Sequence, residues 1–280
     1  MKKAFVLTAI FTVFLFLATS THAQMHQLIK KWETDSVMKV PESVLFDAEN
    51  NVLYVSNIDG QPWEKDGKGS IGKVGLDGKV IAAEWVTGLN APKGMALYKN
   101  MLWVADLDEL AVIDIKAGTI SNRVKIEGAH GLNDVTVDKK GVVYVSDSKD
   151  KKVYRVENGK SEVFLADLQG PNGLFADDDD VYLLDNGSLY KVKNDDKKMK
   201  LVTEGMEGGT DGVEKVKGKD YIVSAWSGVV YYVNEDGTKE KLLDTREQKI
   251  NSADIGYDAK NRIVYVPTFF KNSVVAYELK

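Results

Sequence analysis

The chain has 280 residues, of which 44% are apolar and 28% are charged, and its formal net charge is −5 at pH 7. This length and apolar content are sufficient for a sizeable core, whereas the negative charge and the interleaving of Lys with Asp and Glu argue against nucleic acid as a partner, since binding it requires a basic patch. The sequence contains no Cys, which excludes a disulfide framework and a cysteine nucleophile.

The first predicted element is a secretory signal peptide over residues 1–23. Lys2 and Lys3 precede an uncharged apolar run that ends at Thr21-His22-Ala23, a small-x-small cleavage pattern. The run is shorter than the roughly 20 residues that cross a bilayer. We therefore expect an exported, periplasmic protein without a membrane span. The mature chain would be residues 24–280, with a formal charge of −7, because the removed segment carries two Lys and no acid.

The mature chain repeats one sequence unit six times. Each unit opens with a triplet that ends in an apolar residue, and short runs rich in Val, Ile, Tyr and Trp follow, which are typical of strands. The residues that lead the six triplets are Glu42, Lys93, Asn133, Asn172, Asp211 and Ala253. They are separated by 51, 40, 39, 39 and 42 residues. Four strands about every 40 residues indicate a β-propeller blade, so the sequence predicts an all-β, six-bladed β-propeller in a single domain over residues 24–280.

The two ends of the mature chain complement each other. The segment Leu28–Thr34 has the pattern of a strand and precedes the first unit, whereas the sixth unit has only three strands before the chain ends at Lys280. A propeller ring is closed when one blade takes strands from both chain ends, because no free sheet edge then remains. The sequence therefore predicts that the N-terminal strand completes the last blade.

The innermost strand of each blade lines the central channel, so we expect the six leading residues to form a ring at one mouth of this channel. Four of them, Glu42, Asn133, Asn172 and Asp211, carry oxygen ligands, and none is Cys or His. Hard oxygen donors favour Ca²⁺ or Mg²⁺ over zinc or copper, so the ring predicts a divalent cation of this kind. The alternative is that each Asn-Gly or Asp-Gly pair is an ordinary turn.

These residues resemble a known family of propellers. The set Pro41-Glu42, Asn133-Asp134, Asn172-Gly173-Leu174 and Asp211-Gly212 is similar to the gluconolactonase, senescence marker protein and luciferin-regenerating enzyme family. The resemblance implies a divalent cation, often Ca²⁺, held by Glu42, Asn172 and Asp211, with Asn133 as a further ligand or a substrate contact.

The sequence departs from this family at two points. Family lactonases have an Arg two residues before the Asn that is Asn133 here, and this chain has Gly131 at that position. The family Glu usually precedes Gly-Pro, whereas Glu42 is followed by Ser43-Val44. Cation binding depends less on these positions than specificity for a sugar lactone does.

The function that the resemblance implies is hydrolysis of a small lactone or ester, with the cation polarising the carbonyl and activating water. Asp211 and Asn133 are the predicted catalytic residues. Two roles stay open for Asp211, as proton acceptor or as ligand alone, and His130 is an alternative base. The other functional hypothesis is a non-catalytic propeller that binds a ligand or partner protein across one face. Phosphotriester or condensing chemistry also remains open.

The first unit contains an insertion over residues 57–72, between its second and third strands. Trp63 within it either roofs the pocket or belongs to a mobile surface hairpin. The glycines of the insertion also fit phosphate-binding patterns, but those patterns require a following helix and here a strand follows. The sequence therefore predicts no nucleotide site. Three second strands end in an Asp, namely Asp106, Asp147 and Asp185, and we expect these carboxyls to brace loops.

Overall fold

A computed structural model of the protein describes Met1 and residues 26–280. Apart from Met1, the predicted signal peptide lies outside the described residues. Among the residues that are described, no helix is long and apolar enough to span a membrane.

The described chain forms 24 strands and one short 3-10 helix, Phe269–Lys271. The first strand is β1 (Leu28–Glu33). The first blade follows with β2 (Pro41–Asp47), β3 (Val52–Asn57), β4 (Gly69–Gly75) and β5 (Val80–Leu89). The second blade is β6 (Pro92–Tyr98), β7 (Met101–Asp106), β8 (Glu109–Asp114) and β9 (Thr119–Lys125). The third is β10 (Leu132–Val137), β11 (Val143–Asp147), β12 (Lys152–Glu157) and β13 (Lys160–Leu165).

The remaining three blades repeat this arrangement. The fourth is β14 (Pro171–Asp177), β15 (Asp180–Asp185), β16 (Ser188–Lys193) and β17 (Met199–Thr203). The fifth is β18 (Thr210–Lys217), β19 (Asp220–Ala225), β20 (Val229–Val233) and β21 (Lys239–Asp244). The sixth contains β22 (Gly256–Asp258), β23 (Ile263–Pro267) and β24 (Val274–Leu279).

The strand pairing confirms the predicted six-bladed propeller and its closure. Each of the six sheets has four antiparallel strands, and the order in the sixth is β1-β24-β23-β22. Leu28 pairs with Leu279 and Glu33 with Val275. The N-terminal strand therefore completes the last blade, as the sequence predicts.

The core consists of apolar layers between neighbouring blades. Six buried clusters lie at the six interfaces, each built from β-branched and aromatic side chains of two adjacent sheets. In the cluster between blades one and six, Trp32 of β1 packs near Tyr265 and donates its ring N–H to Leu76 O at 2.9 Å. The closing strand is thus fixed to the first blade as well as to the sixth.

The innermost strands of the first five blades all have an irregular register at the leading residue. Regular pairing stops between Pro41 and Ser43 in β2, and the equivalent shift occurs in β6, β10, β14 and β18. A bulge redirects a side chain and leaves a backbone N–H without its ladder partner. Serines of the second strands accept three of these N–H groups: Ser56 from Ser43 at 2.9 Å, Ser146 from Asp134 at 2.9 Å and Ser224 from Gly212 at 2.8 Å.

The glycines that follow leading residues lie within strands, which excludes the turn interpretation of these pairs. Gly173 belongs to β14 and Gly212 to β18. A Cβ on Gly173 would lie 2.2 Å from the backbone oxygen of Asp211, and one on Gly212 would lie 2.5 Å from the nitrogen of Ile255. Glycine is therefore required because adjacent inner strands approach closely.

Candidate functional site

Five of the six leading residues line one pocket at the mouth of the central channel. The pocket has a volume of about 500 Å³, which is within the range of small-molecule sites. The leading residues that line it are Glu42, Lys93, Asn133, Asn172 and Asp211. The structure therefore brings together all four residues that the sequence nominates as metal ligands.

The sixth leading residue, Ala253, does not line this pocket. It precedes the short inner strand β22 and is fully buried in an apolar cluster that also contains Ile58 and Phe269. Its backbone N–H bonds to Pro267 O at 3.1 Å, and the N–H of Asp254 bonds to Glu42 O at 2.9 Å. The ring of polar side chains is therefore open on the side of the sixth blade.

Two acceptor atoms in the pocket are buried and have no hydrogen-bond partner among the described residues. They are Oε2 of Glu42 and Oδ1 of Asn172. The amide nitrogen of Asn172 donates to Oδ1 of Asp211 at 2.9 Å, which fixes the orientation of the amide. Leaving a buried acceptor unpaired is costly, so these atoms indicate that the pocket is built to receive a donor or a cation.

Burial raises the pKa of both carboxyls in the pocket. The pKa of Glu42 is raised to about 7 by burial, opposed by the charge of Lys93 and assisted by that of Asp254. The pKa of Asp211 is raised well above its usual value by burial and then by the charge of Glu42. The charge of Glu42 raises the pKa of Asp211 because both carboxyls line the same pocket.

Lys93 supplies a positive charge inside the ring. Its side chain is 1% exposed, and burial lowers its pKa, opposed by the charges of Glu42 and Asp211. Its Nζ lies 4.4 Å from the centroid of the Trp63 ring, and Nζ of Lys149 lies 4.7 Å from the same centroid. Trp63 therefore roofs this side of the pocket through two cation–π contacts, which agrees with the roof hypothesis for the insertion.

A hydrogen bond to a neighbouring loop fixes the side chain of Asn133. Its amide nitrogen donates to Oγ of Ser148 at 3.0 Å, and this hydroxyl donates to Pro171 O at 2.7 Å. The carbonyl oxygen of Asn133 is the part of the amide that remains for a ligand or a substrate.

A second set of carboxyls lies one residue deeper in the channel. Asp134 accepts the N–H of Leu174 at 2.6 Å, and Asp254 accepts the hydroxyl of Ser43 at 2.5 Å. These bonds join the third blade to the fourth and the sixth to the first. Burial raises the pKa of both carboxyls, to about 7 for Asp254 and well above the usual value for Asp134. Although both residues belong to the repeated triplets, the sequence assigned them no role.

The carboxyls at the ends of second strands brace the loops that lead into the inner strands, as predicted. Asp106 accepts the N–H groups of Asn90 and Ala91, and Asp185 accepts those of Gln169 and Gly170. Asp147 likewise accepts the N–H of His130 at 3.0 Å. These bonds position the leading residues.

Sequence reasoning missed the aromatic side of the pocket. Trp226, Phe269 and Phe270 line it together with the polar groups. Trp226 follows the second strand of the fifth blade, and Phe269 and Phe270 follow that of the sixth, so they occupy the position in the repeat that the Trp63 loop occupies in the first. Comparing the loops after all six second strands would have revealed this signal.

The donor set fits a hard divalent cation. Glutamate, aspartate and amide oxygens are the ligands that Ca²⁺ prefers, and two of these oxygens are buried and unpaired. Within residues 26–280, no group of three or more His, Cys, Asp and Glu side chains is arranged to hold a metal ion. A cation at the hub would therefore depend on Asn172 and Asn133 in addition to Glu42 and Asp211.

The raised pKa values predict how the stability of the cation-free protein depends on pH. Folding favours the protonated form of Glu42, Asp211, Asp134 and Asp254, because each has a higher pKa when folded. The folded state then binds more protons than the unfolded state, so stability falls as pH rises from about 5 through about 7. Thermal unfolding in chelator should give a lower Tm at about pH 8 than at about pH 5.

Added Ca²⁺ should oppose this fall in Tm with rising pH. Because a cation replaces the proton on a ligand, added Ca²⁺ should raise the Tm more at about pH 8 than at about pH 5. The variant Glu42→Gln is the control, and its Tm in chelator should depend less on pH. A Tm in chelator that is constant or rises over this range would contradict the account.

No family model matches the chain, and no curated protein matches it. Two solved structures with a similar fold are a streptogramin B lyase and a catalytically inactive histidine-to-alanine variant of virginiamycin B lyase from Staphylococcus aureus with quinupristin. The first has a TM-score of 0.63 at 12% identity over 91% of this chain and 97% of the other. The second has a TM-score of 0.63 at 12% identity over 90% and 98%. Both are six-bladed propellers, and at this identity the likeness concerns the fold alone.

Proposed function

We propose that this protein is an exported, periplasmic hydrolase of a small lactone or ester that uses a divalent cation, Ca²⁺ first and Mg²⁺ second, at the propeller hub. The observation that supports the proposal best is the pair of buried, unpaired oxygens on Glu42 and Asn172, next to the carboxyl of Asp211. A cation is the partner that satisfies unpaired acceptors and carboxyl charges together. The resemblance to the gluconolactonase-like family supports the same reading.

The residues that line the pocket have different roles in this proposal. Glu42, Asn172 and Asp211 would hold the cation, and the oxygen of Asn133 would act as a fourth ligand or bind the substrate. When bound, a divalent cation polarises a carbonyl and makes water more acidic. Asp211, which borders this site, would accept the proton from the attacking water, or would act as a ligand alone. Trp63 would cover the side of the site at Lys93, whose Nζ lies 4.4 Å from the centroid of the Trp63 ring.

No histidine is among the described residues that line this pocket. The solved lyase variant is described as inactive after a histidine-to-alanine change, but the two histidines of the described part lie elsewhere. His26 stacks on Tyr232 with ring centroids 3.7 Å apart, and the His130 side chain is 71% exposed and pairs with Asp150. The lyase reaction is therefore not extended to this protein, and His130 is not among the residues that line the pocket.

A second candidate function, binding without catalysis, is favoured by Lys93. Its buried ammonium already offsets part of the charge of Glu42 and Asp211. A site balanced in this way could bind a ligand without any cation. The two candidates therefore differ in whether a cation is needed.

The test is a set of lactone and ester hydrolysis assays on protein that has been stripped with chelator and then reloaded with Ca²⁺ or Mg²⁺. The hydrolase proposal predicts turnover of at least one substrate that is lost in chelator and restored by the cation. Stabilisation by the cation without turnover of any substrate would favour the binding function. Turnover that is unaffected by chelator would show that the cation has no catalytic role.

A further inference from the structure

Exposed aromatic side chains concentrate at the hub pocket. Within residues 26–280, the large apolar side chains that are exposed include three aromatic ones, Trp63, Trp226 and Phe270, at 38%, 40% and 64% exposure. All three line the pocket that contains Glu42 and Asp211. Scattered single apolar residues need no explanation, but exposed aromatics gathered around one concave site mark a ligand surface.

Three of the pocket aromatics form one wall. Phe269 and Phe270 meet edge to face with ring centroids 4.8 Å apart, and Trp226 contacts Phe269 at 5.5 Å and Phe270 at 6.1 Å. We call Trp226, Phe269 and Phe270 the aromatic wall. Because its rings are mutually inclined by 82° to 87°, the wall forms an apolar notch rather than a single flat platform.

The backbone that holds the aromatic wall in place is strained at Phe269. Phe269 has φ +50, a left-handed conformation that is unfavourable for a bulky residue, and its buried ring packs with Ala253 and Ile58. The backbone N–H of Trp226 donates to Gly209 O at 2.9 Å, and the backbone carbonyl of Trp226 accepts the side-chain amide of Asn251 at 2.9 Å. Strain retained beside a pocket indicates a functional constraint.

The pocket is thus divided into a polar floor and an apolar side. Glu42, Asn172 and Asp211 supply acceptors on the floor, whereas the aromatic wall offers no polar side-chain atom except the indole N–H of Trp226. A ligand that fills both halves has a carbonyl at one end and an apolar group at the other. A polyhydroxylated sugar lactone would leave hydroxyls against the wall without partners, which costs binding energy.

We propose that the substrate of this site is a lactone or ester that carries an aromatic ring or a short alkyl chain beside its carboxyl group, and that the aromatic wall binds this apolar group. The inference deepens the proposed hydrolase function and rests on it for the reaction. The wall itself is a binding element, so its contribution is measurable without turnover.

The first experiment measures binding by calorimetry with a non-hydrolysable aromatic lactam, 3,4-dihydroquinolin-2-one, on Ca²⁺-loaded protein. We expect Trp226→Ala and Phe270→Ala each to weaken binding by about 10-fold or more, the effect of losing one good apolar contact. Phe270 is mostly exposed, so its variant keeps the fold. The matched control is Ile81→Ala, whose side chain is equally exposed at 64% and does not line the pocket.

The second experiment compares kcat/KM for an aryl lactone, dihydrocoumarin, with that for glucono-δ-lactone. We expect the aryl lactone to be preferred, and Phe270→Ala to reduce its kcat/KM about 10-fold or more while changing that of the sugar lactone less. Lactam binding that depends on the wall, without hydrolysis of any lactone, would overturn the hydrolase function and keep the apolar site. A preference for the sugar lactone, or lactam binding unchanged in both wall variants, would overturn the inference.

Discussion

A chain that begins at Val37, and therefore lacks β1, is expected to melt at least about 10 °C below the mature protein, because several kcal/mol of stability are lost and each is worth about 2–4 °C at this size. The truncation removes the strand that covers the edge of β24 and takes away Trp32, which packs between the first and sixth blades. It also exposes the backbone groups of β24 to solvent or to another chain. Calorimetry on both forms provides the measurement.

Two point variants separate the strand from its side chains. Trp32→Ala should lower the Tm by several degrees, since it removes a core side chain and leaves Leu76 O without its donor. Lys31→Ala is the control, because its half-exposed side chain forms a surface ion pair with Glu278. A truncated protein that melts within about 2 °C of the parent would show that ring closure does not depend on β1.

The variants Glu42→Gln and Asp211→Asn should each weaken Ca²⁺ binding about 100-fold or more, because each removes one of the two proposed carboxylate ligands. Asp211→Asn should also lower kcat about 1000-fold, since it removes both a ligand and the proposed proton acceptor. Isothermal titration calorimetry on stripped protein measures the first effect, and the assays on aryl lactones measure the second.

The control for these variants is Asp179→Asn. Asp179 lies in the acidic turn between β14 and β15, with a side chain 84% exposed, at the opposite end of β14 from Asn172. In chelator, Glu42→Gln should keep or raise the Tm, because it replaces a buried carboxyl that lacks a full set of partners. Unchanged Ca²⁺ affinity in both pocket variants, or loss only through unfolding, would contradict the assignment.

The repeat was sufficient to predict the fold because each blade is one local unit of four short strands. The regular spacing of the leading residues predicts the ring of blades, and a ring brings equivalent positions of its units together. These positions are Glu42, Lys93, Asn133, Asn172 and Asp211. The closing strand was predictable for the same reason, as a sixth unit with three strands needs a fourth from elsewhere.

The apolar part of the site was not predictable from the triplets alone. Trp226 and Phe270 lie outside the strands, in a turn and in the short 3-10 helix, where no strand pattern fixes the direction of a side chain, and their meeting in one pocket with Asp211 follows only from the closed ring. The raised pKa values of the carboxyls were not predictable from the sequence either, because the pKa of Glu42 depends on how completely the neighbouring blades exclude water. Asn172-Gly173 also has the sequence of a turn, and the contact with Asp211 that explains the glycine involves a separate blade.

Whether the hub binds a cation is tested by a crystal structure of the mature protein grown with Ca²⁺, with the ion identified by its anomalous scattering. We expect one ion at the hub, with oxygens of Glu42, Asn172 and Asp211 at about 2.3–2.6 Å from it. A hub without an ion at saturating Ca²⁺, with the ammonium of Lys93 bonded to Glu42 and Asp211 instead, would contradict this expectation.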